Sequence, residues 1–103
     1  MSRGGRRFRV AQMRIRIPYE RQGLIWFTAQ TFDDQPAAVQ ERILNACEAV
    51  GGEMAGALLA YVTTNRPIAA IMREYHFSSE TTIYRMLRPW FEQMDRALFG
   101  GRQ

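Results

Sequence analysis

Hydrophobic and polar positions follow two different rhythms along this chain. Near the start, Met13, Ile15 and Ile17 interleave with Arg14 and Arg16, the period-two signature of a half-buried strand. Pro18 closes that run, and residues 19–23 have the length of a hairpin turn. Residues 24–32 then gather β-branched and aromatic side chains (Ile25, Trp26, Phe27, Thr28, Thr31, Phe32), a composition suited to a pleated surface. The pattern predicts a β-hairpin over residues 12–32. A lone hairpin is marginal in water, so it has to pack on the rest of the chain or pair with a second copy.

From Asp33 the rhythm becomes helical. Asp33-Asp34-Gln35-Pro36 reads as a helix start, with acids near the N-terminus and proline in the first turn. Val39, Ile43, Cys47 and Val50 recur at helical spacing until Gly51-Gly52, predicting a helix over 35–50. Met54, Leu58, Leu59 and Val62 predict a second helix over 53–64, in which Gly56 and its alanine neighbours permit another backbone to come close. Asn65 and Pro67 open a third, over 67–76, with Ile68, Ile71, Met72 and Tyr75 on its apolar face. Ser78 or Ser79 caps the next, over 79–99, where Ile83, Met86 and Leu87 point inward. Pro89 either kinks this last helix or begins a new one through Trp90, Phe91, Met94, Leu98 and Phe99, so the helices number four or five. The predicted fold class is mainly α with an N-terminal β-hairpin.

At 103 residues the chain has the size of one domain. All 14 basic residues are arginine, whose planar fork suits phosphates and guanine edges. Their distribution is uneven: residues 1–22 hold Arg3, Arg6, Arg7, Arg9, Arg14, Arg16 and Arg21 against the single acid Glu20, while the remainder is net acidic. Residues 1–9 therefore read as a flexible basic arm and residues 10–103 as a single domain. The one cysteine, Cys47, excludes an intramolecular disulfide and fits a cytoplasmic setting. No uninterrupted apolar run approaches the length of a membrane span, so no membrane association is expected.

Two helices joined by a short turn, the second exposing Thr81, Tyr84, Arg85 and Arg88 opposite its inward stripe, have the layout of a major-groove reader. Residues 68–87 (IAAIMREYHFSSETTIYRML) resemble the helix-turn-helix of DNA recombinases, transposases and a bacillar sporulation regulator. Thr82-Ile83-Tyr84-Arg85-Met86-Leu87 carries the recognition-helix part of the likeness and Arg73-Glu74-Tyr75 the end of the preceding helix. The resemblance covers about a fifth of the chain. It implies a helix-turn-helix bundle that binds double-stranded DNA sequence-specifically, as in a small transcriptional regulator of bacterial or phage type. The expected contacts are Ser79, Thr81, Thr82, Tyr84, Arg85 and Arg88 from the recognition helix. Arg3, Arg6, Arg7 and Arg9 would supply phosphate or minor-groove contacts. One such module rarely gives enough specificity alone, so a homodimer is expected, joined through the hairpin or the Trp90–Phe99 helix.

Other readings stay open. Arg85 and Arg88 are equally the charges of a solvated face, and the arm equally a solubilising tail. A protein-interaction module would use the hairpin edge and the aromatics Trp26, Phe27, Trp90 and Phe91. An RNA-binding protein would use the basic arm and stack unpaired bases on the aromatics of the hairpin. His76, the only histidine, reads as a turn residue and Cys47 as core. Asp33 and Asp34 are better explained as helix caps than as a metal pair. With no phosphate-binding glycine loop or nucleophile elbow, neither an enzyme nor a cofactor is expected.

Overall fold

The structure, a computed structural model, describes residues 15–100. Helices α1 (Tyr19–Gln30), α2 (Ala37–Gly51), α3 (Ala55–Thr63), α4 (Ile68–Tyr75) and α5 (Thr81–Phe99) follow in chain order, with short 3₁₀ turns at Phe32–Asp34 and Gly52–Met54. No strand occurs among the described residues, and the expected hairpin over 12–32 is replaced by α1. Met13 lies outside the described residues. Ile15–Ile17 do alternate, with Ile17 buried and Arg16 exposed, but they form a bend with no strand beside it.

The reason is visible in what α1 buries: Gln22, Ile25, Trp26, Ala29 and Gln30, a 3-4 spacing that only a helix brings to one face. Two of those five are glutamines, so the inward stripe is invisible to a search for apolar residues alone. Their amides are fixed: Gln22 Nε2 donates to the Ile17 carbonyl at 2.9 Å and Gln30 Nε2 to the Val62 carbonyl at 2.8 Å. β propensity, a preference for a packed pleated surface, has no hold where no partner strand exists.

Proline sets the helix starts. Pro18, Pro36 and Pro67 stand at the N-caps of α1, α2 and α4, with φ of −57°, −59° and −59°. Their carbonyls accept the first helical bonds, from Gln22, from Val39 and Gln40, and from Ala70 and Ile71. None of the three starts has a side-chain cap. Asp33 and Asp34 lie in the preceding 3₁₀ turn instead of capping α2. Pro89 behaves differently, being carried inside an unbroken α5 on its exposed side.

Taken as one helical stretch, Ala37–Thr63 has the length and apolar composition of a membrane-crossing segment, which a search for uninterrupted apolar runs passes over. Gly52, at φ +53° and ψ −121°, reverses the chain there in a conformation open to glycine, and α3 folds back against α2. Between α3 and α4 the approach is close enough that a Cβ on Gly56 would meet the Tyr75 ring at 2.8 Å.

The core forms where α5 crosses α2, α1 and α3. Trp26 lies edge-on to Trp90 (centroids 6.3 Å) and to Tyr61 (6.0 Å), and Trp90 edge-on to Phe91 (5.0 Å), the arrangement that aromatic quadrupoles favour. Trp26, Trp90 and Phe91 are thus fully buried. They cannot serve as the exposed aromatic surface considered from sequence. The apolar side chains of Trp90–Phe99 mostly face this core, and the exception is the exposed Phe99, under the Arg21 guanidinium. Asp95 is buried beside Arg21, Oδ1 to Nε 2.8 Å, so the charge that α5 places in the interior has a partner on α1.

Candidate functional site

The α4–α5 junction is built by two terminal devices. His76 follows α4 at φ 62° and ψ 49°, left-handed, the position a glycine commonly fills. Its own N–H and that of Phe77 both return to the Met72 carbonyl, closing the helix end, while Phe77 packs on the core. Ser79 then opens α5: its Oγ accepts the Thr81 N–H at 3.2 Å, and the Ser79 carbonyl accepts the Thr82 N–H. Glu80, at φ −60° and ψ −28°, is already helical, which makes Ser79 the effective cap.

Past that cap, α5 divides into two faces. Ile83, Leu87, Trp90 and Phe91 are buried. Thr81, Tyr84, Arg85 and Arg88 are exposed at positions i, i+3, i+4 and i+7, one continuous stripe. Thr82 sits half-buried at its flank, and Ser79 and Glu80 are exposed at its head. The Tyr84 hydroxyl donates to Glu80 Oε1 at 3.2 Å and its ring meets buried Tyr61 edge-on, so the phenol is held to the surface. Arg88, exposed, lies 3.9 Å from the half-buried Glu92 one turn on, a pairing that solvent weakens. Arg85 makes no ion pair among the described residues.

All six recognition-helix residues expected from sequence therefore gather on one end of α5, whereas Arg3, Arg6, Arg7 and Arg9 lie outside the described residues. Two neighbours were not anticipated. Arg73 is exposed in the last turn of α4, beside the junction. Arg66, ahead of the start of that helix, pairs with Glu74 in its last turn. Arg73 was legible in principle, being the basic position before a helix end. The Arg66–Glu74 pair needed the fold.

The rest of the surface offers little chemistry. A cleft of about 300 Å³ is bounded by Arg16, Ile17, Glu92, Asp95 and Arg96, its acids already facing arginines. A shallow apolar groove of about 170 Å³ lies over Leu44, Cys47 and Gly56. Burial pushes the Cys47 thiol up to about 12, the Trp90 indole N–H offsetting this only in part and Glu48 adding to it. That makes a poor nucleophile. Among the described residues no group of His, Cys, Asp and Glu is gathered as a metal site. Comparison with family models, with curated proteins and with solved structures finds no match.

Proposed function

We propose that this chain binds double-stranded DNA through the first three turns of α5, acting as a small sequence-specific regulator. One observation carries the reading: Thr81, Tyr84, Arg85 and Arg88 form an uncovered polar stripe directly behind a cap-closed turn, on a helix whose opposite face is anchored in the core. A reading helix needs that division, with donors at its N-terminal half and a rigid seat behind. Arg85 is the guanine reader of the set. Glu80, tied to Tyr84, repels phosphate from the helix N-terminus and suits the amino group of a cytosine.

The body alone is not a polyanion magnet. Residues 15–100 hold eight arginines against ten acids. The non-specific part of the affinity must then come from the six remaining arginines, Arg3, Arg6, Arg7, Arg9, Arg14 and Arg102, as phosphate contacts. Work divided in this way has a distinct signature. Deleting residues 1–9 flattens the salt dependence of duplex binding and lowers affinity for all sequences alike. Arg85→Ala narrows the gap between preferred and random duplexes. Selection from a random duplex library followed by titration across salt reads both. A chain that prefers single-stranded RNA to duplex in competition overturns the reading.

A further inference from the structure

Helix α1 carries large apolar side chains on its outer side as well as its inner one. Opposite its buried stripe, Leu24 and Phe27 are 49% and 50% exposed, and with Glu20 and Thr31 they stand at i, i+4, i+7 and i+11, one outward seam. The threonine hydroxyls along the seam are already satisfied within the helix, Thr28 Oγ1 donating to the Leu24 carbonyl and Thr31 Oγ1 to the Phe27 carbonyl, both at 2.8 Å, while the Glu20 carboxylate stands exposed at the seam's N-terminal end. Covering these hydroxyls strands no hydrogen bond, so the usual penalty for burying them is absent. Gly23 borders the seam with open space where a Cβ would stand, room for a second backbone to approach. An apolar helix face with satisfied hydroxyls and a small residue at its edge is fitted to another helix.

We propose that this face is a self-association surface, on which a second copy of the chain docks its own α1 antiparallel. Charge selects both the occupant and its direction. Arg16 is exposed just before α1, and Asp33 and Asp34 are exposed just after it. None of the three forms an ion pair among the described residues. A two-fold axis between Leu24 and Phe27 sets Leu24 against the partner's Phe27 and carries Arg16 toward the partner's Asp33 and Asp34 at both ends. A parallel pairing stacks like charges at each end, which fixes register and direction more than affinity. Each face offers two half-exposed large apolar side chains, Leu24 and Phe27, with Glu20, Gly23, Thr28 and Thr31 around them, a contact at the low end of interface sizes. The dimer is accordingly a weak, reversible one. The surface does not depend on the DNA reading, and its test contains no DNA.

Sedimentation velocity of the full chain, from low to several hundred micromolar, tests it. The wild-type chain is expected to pass from monomer to dimer over this range, with Phe27→Glu raising the dissociation constant at least about tenfold while far-UV circular dichroism stays helical. Arg16→Asp weakens the dimer, and adding Asp33→Arg and Asp34→Arg to it recovers most of the loss. A monomer at every concentration overturns the proposal, as does a dimer indifferent to Phe27→Glu. Should that variant lose helicity, the charge-reversal series decides, since its positions are exposed and outside α1. A dimer unmoved by charge reversal overturns the antiparallel arrangement.

Discussion

At φ 62° and ψ 49°, His76 holds a left-handed conformation that costs a side chain with a Cβ about 1–2 kcal/mol. Histidine is among the residues that visit it more often than most, but glycine does so freely. The imidazole is exposed. His76→Gly is therefore expected to stabilise the fold, by up to about 1 kcal/mol after the extra freedom glycine gives the unfolded chain. Urea denaturation measures it, and a clear loss of stability means that the imidazole makes a contact of its own. Cys47 bears on the same scale. Its thiol titrates near 9.0 when free and near 12 in the fold, so the folded state keeps a proton that the unfolded state gives up. The linkage sign follows: this group leaves stability unchanged below about pH 9 and lowers it progressively as pH rises toward about 12. Between about pH 9 and 12 the wild type should lose stability more steeply than Cys47→Ala. Equal slopes in thermal melts contradict the assignment.

Helix α1 shows what the sequence conceals and why. Its inward stripe reads Gln-Ile-Trp-Ala-Gln and its outward seam holds Leu24 and Phe27. Polar residues inside and apolar residues outside cancel the helical pattern, leaving a β-rich composition that suggests a strand. Pro18 adds to the ambiguity, because a proline that starts a helix and one that ends a strand look alike in one dimension. The helices from α2 onward were legible because their buried positions are apolar: Ile43 and Cys47, Leu58 and Val62, Ile83 and Leu87. The stripe on α5 was legible for the same reason, since fixing the buried positions fixes the exposed ones. The glutamines that hid α1 also hold it. Gln30 Nε2 reaches the carbonyls of both Val62 and Thr64, at 2.8 and 3.3 Å, tying the end of α1 to the end of α3. Gln30→Ala takes the side-chain donor from the buried Val62 carbonyl and should cost about 1–3 kcal/mol. Hydrogen exchange should then rise at the α3–α4 connection, and unchanged protection there speaks against the tether.

For the molecule as a whole, charge and shape are divided between parts. The ten acids all lie within residues 15–100, and six of the fourteen arginines lie outside. In the proposed function the described residues would supply the reading helix, and the arginine-rich remainder of the chain the attraction to phosphate. The seam on α1 would join two such bodies, giving two reading faces and two arms to one duplex. The claim on which the functional account turns is that α5 reads DNA. Fluorescence anisotropy of a labelled duplex, selected for binding to this protein, tests it with wild type and Arg85→Ala side by side across a salt series. The account predicts binding that weakens steeply with salt, and a loss of about 1–3 kcal/mol in Arg85→Ala on the selected duplex but little loss on random sequence. Equal affinities of the two proteins for the selected duplex, or no duplex binding by the folded chain at low salt, contradict it.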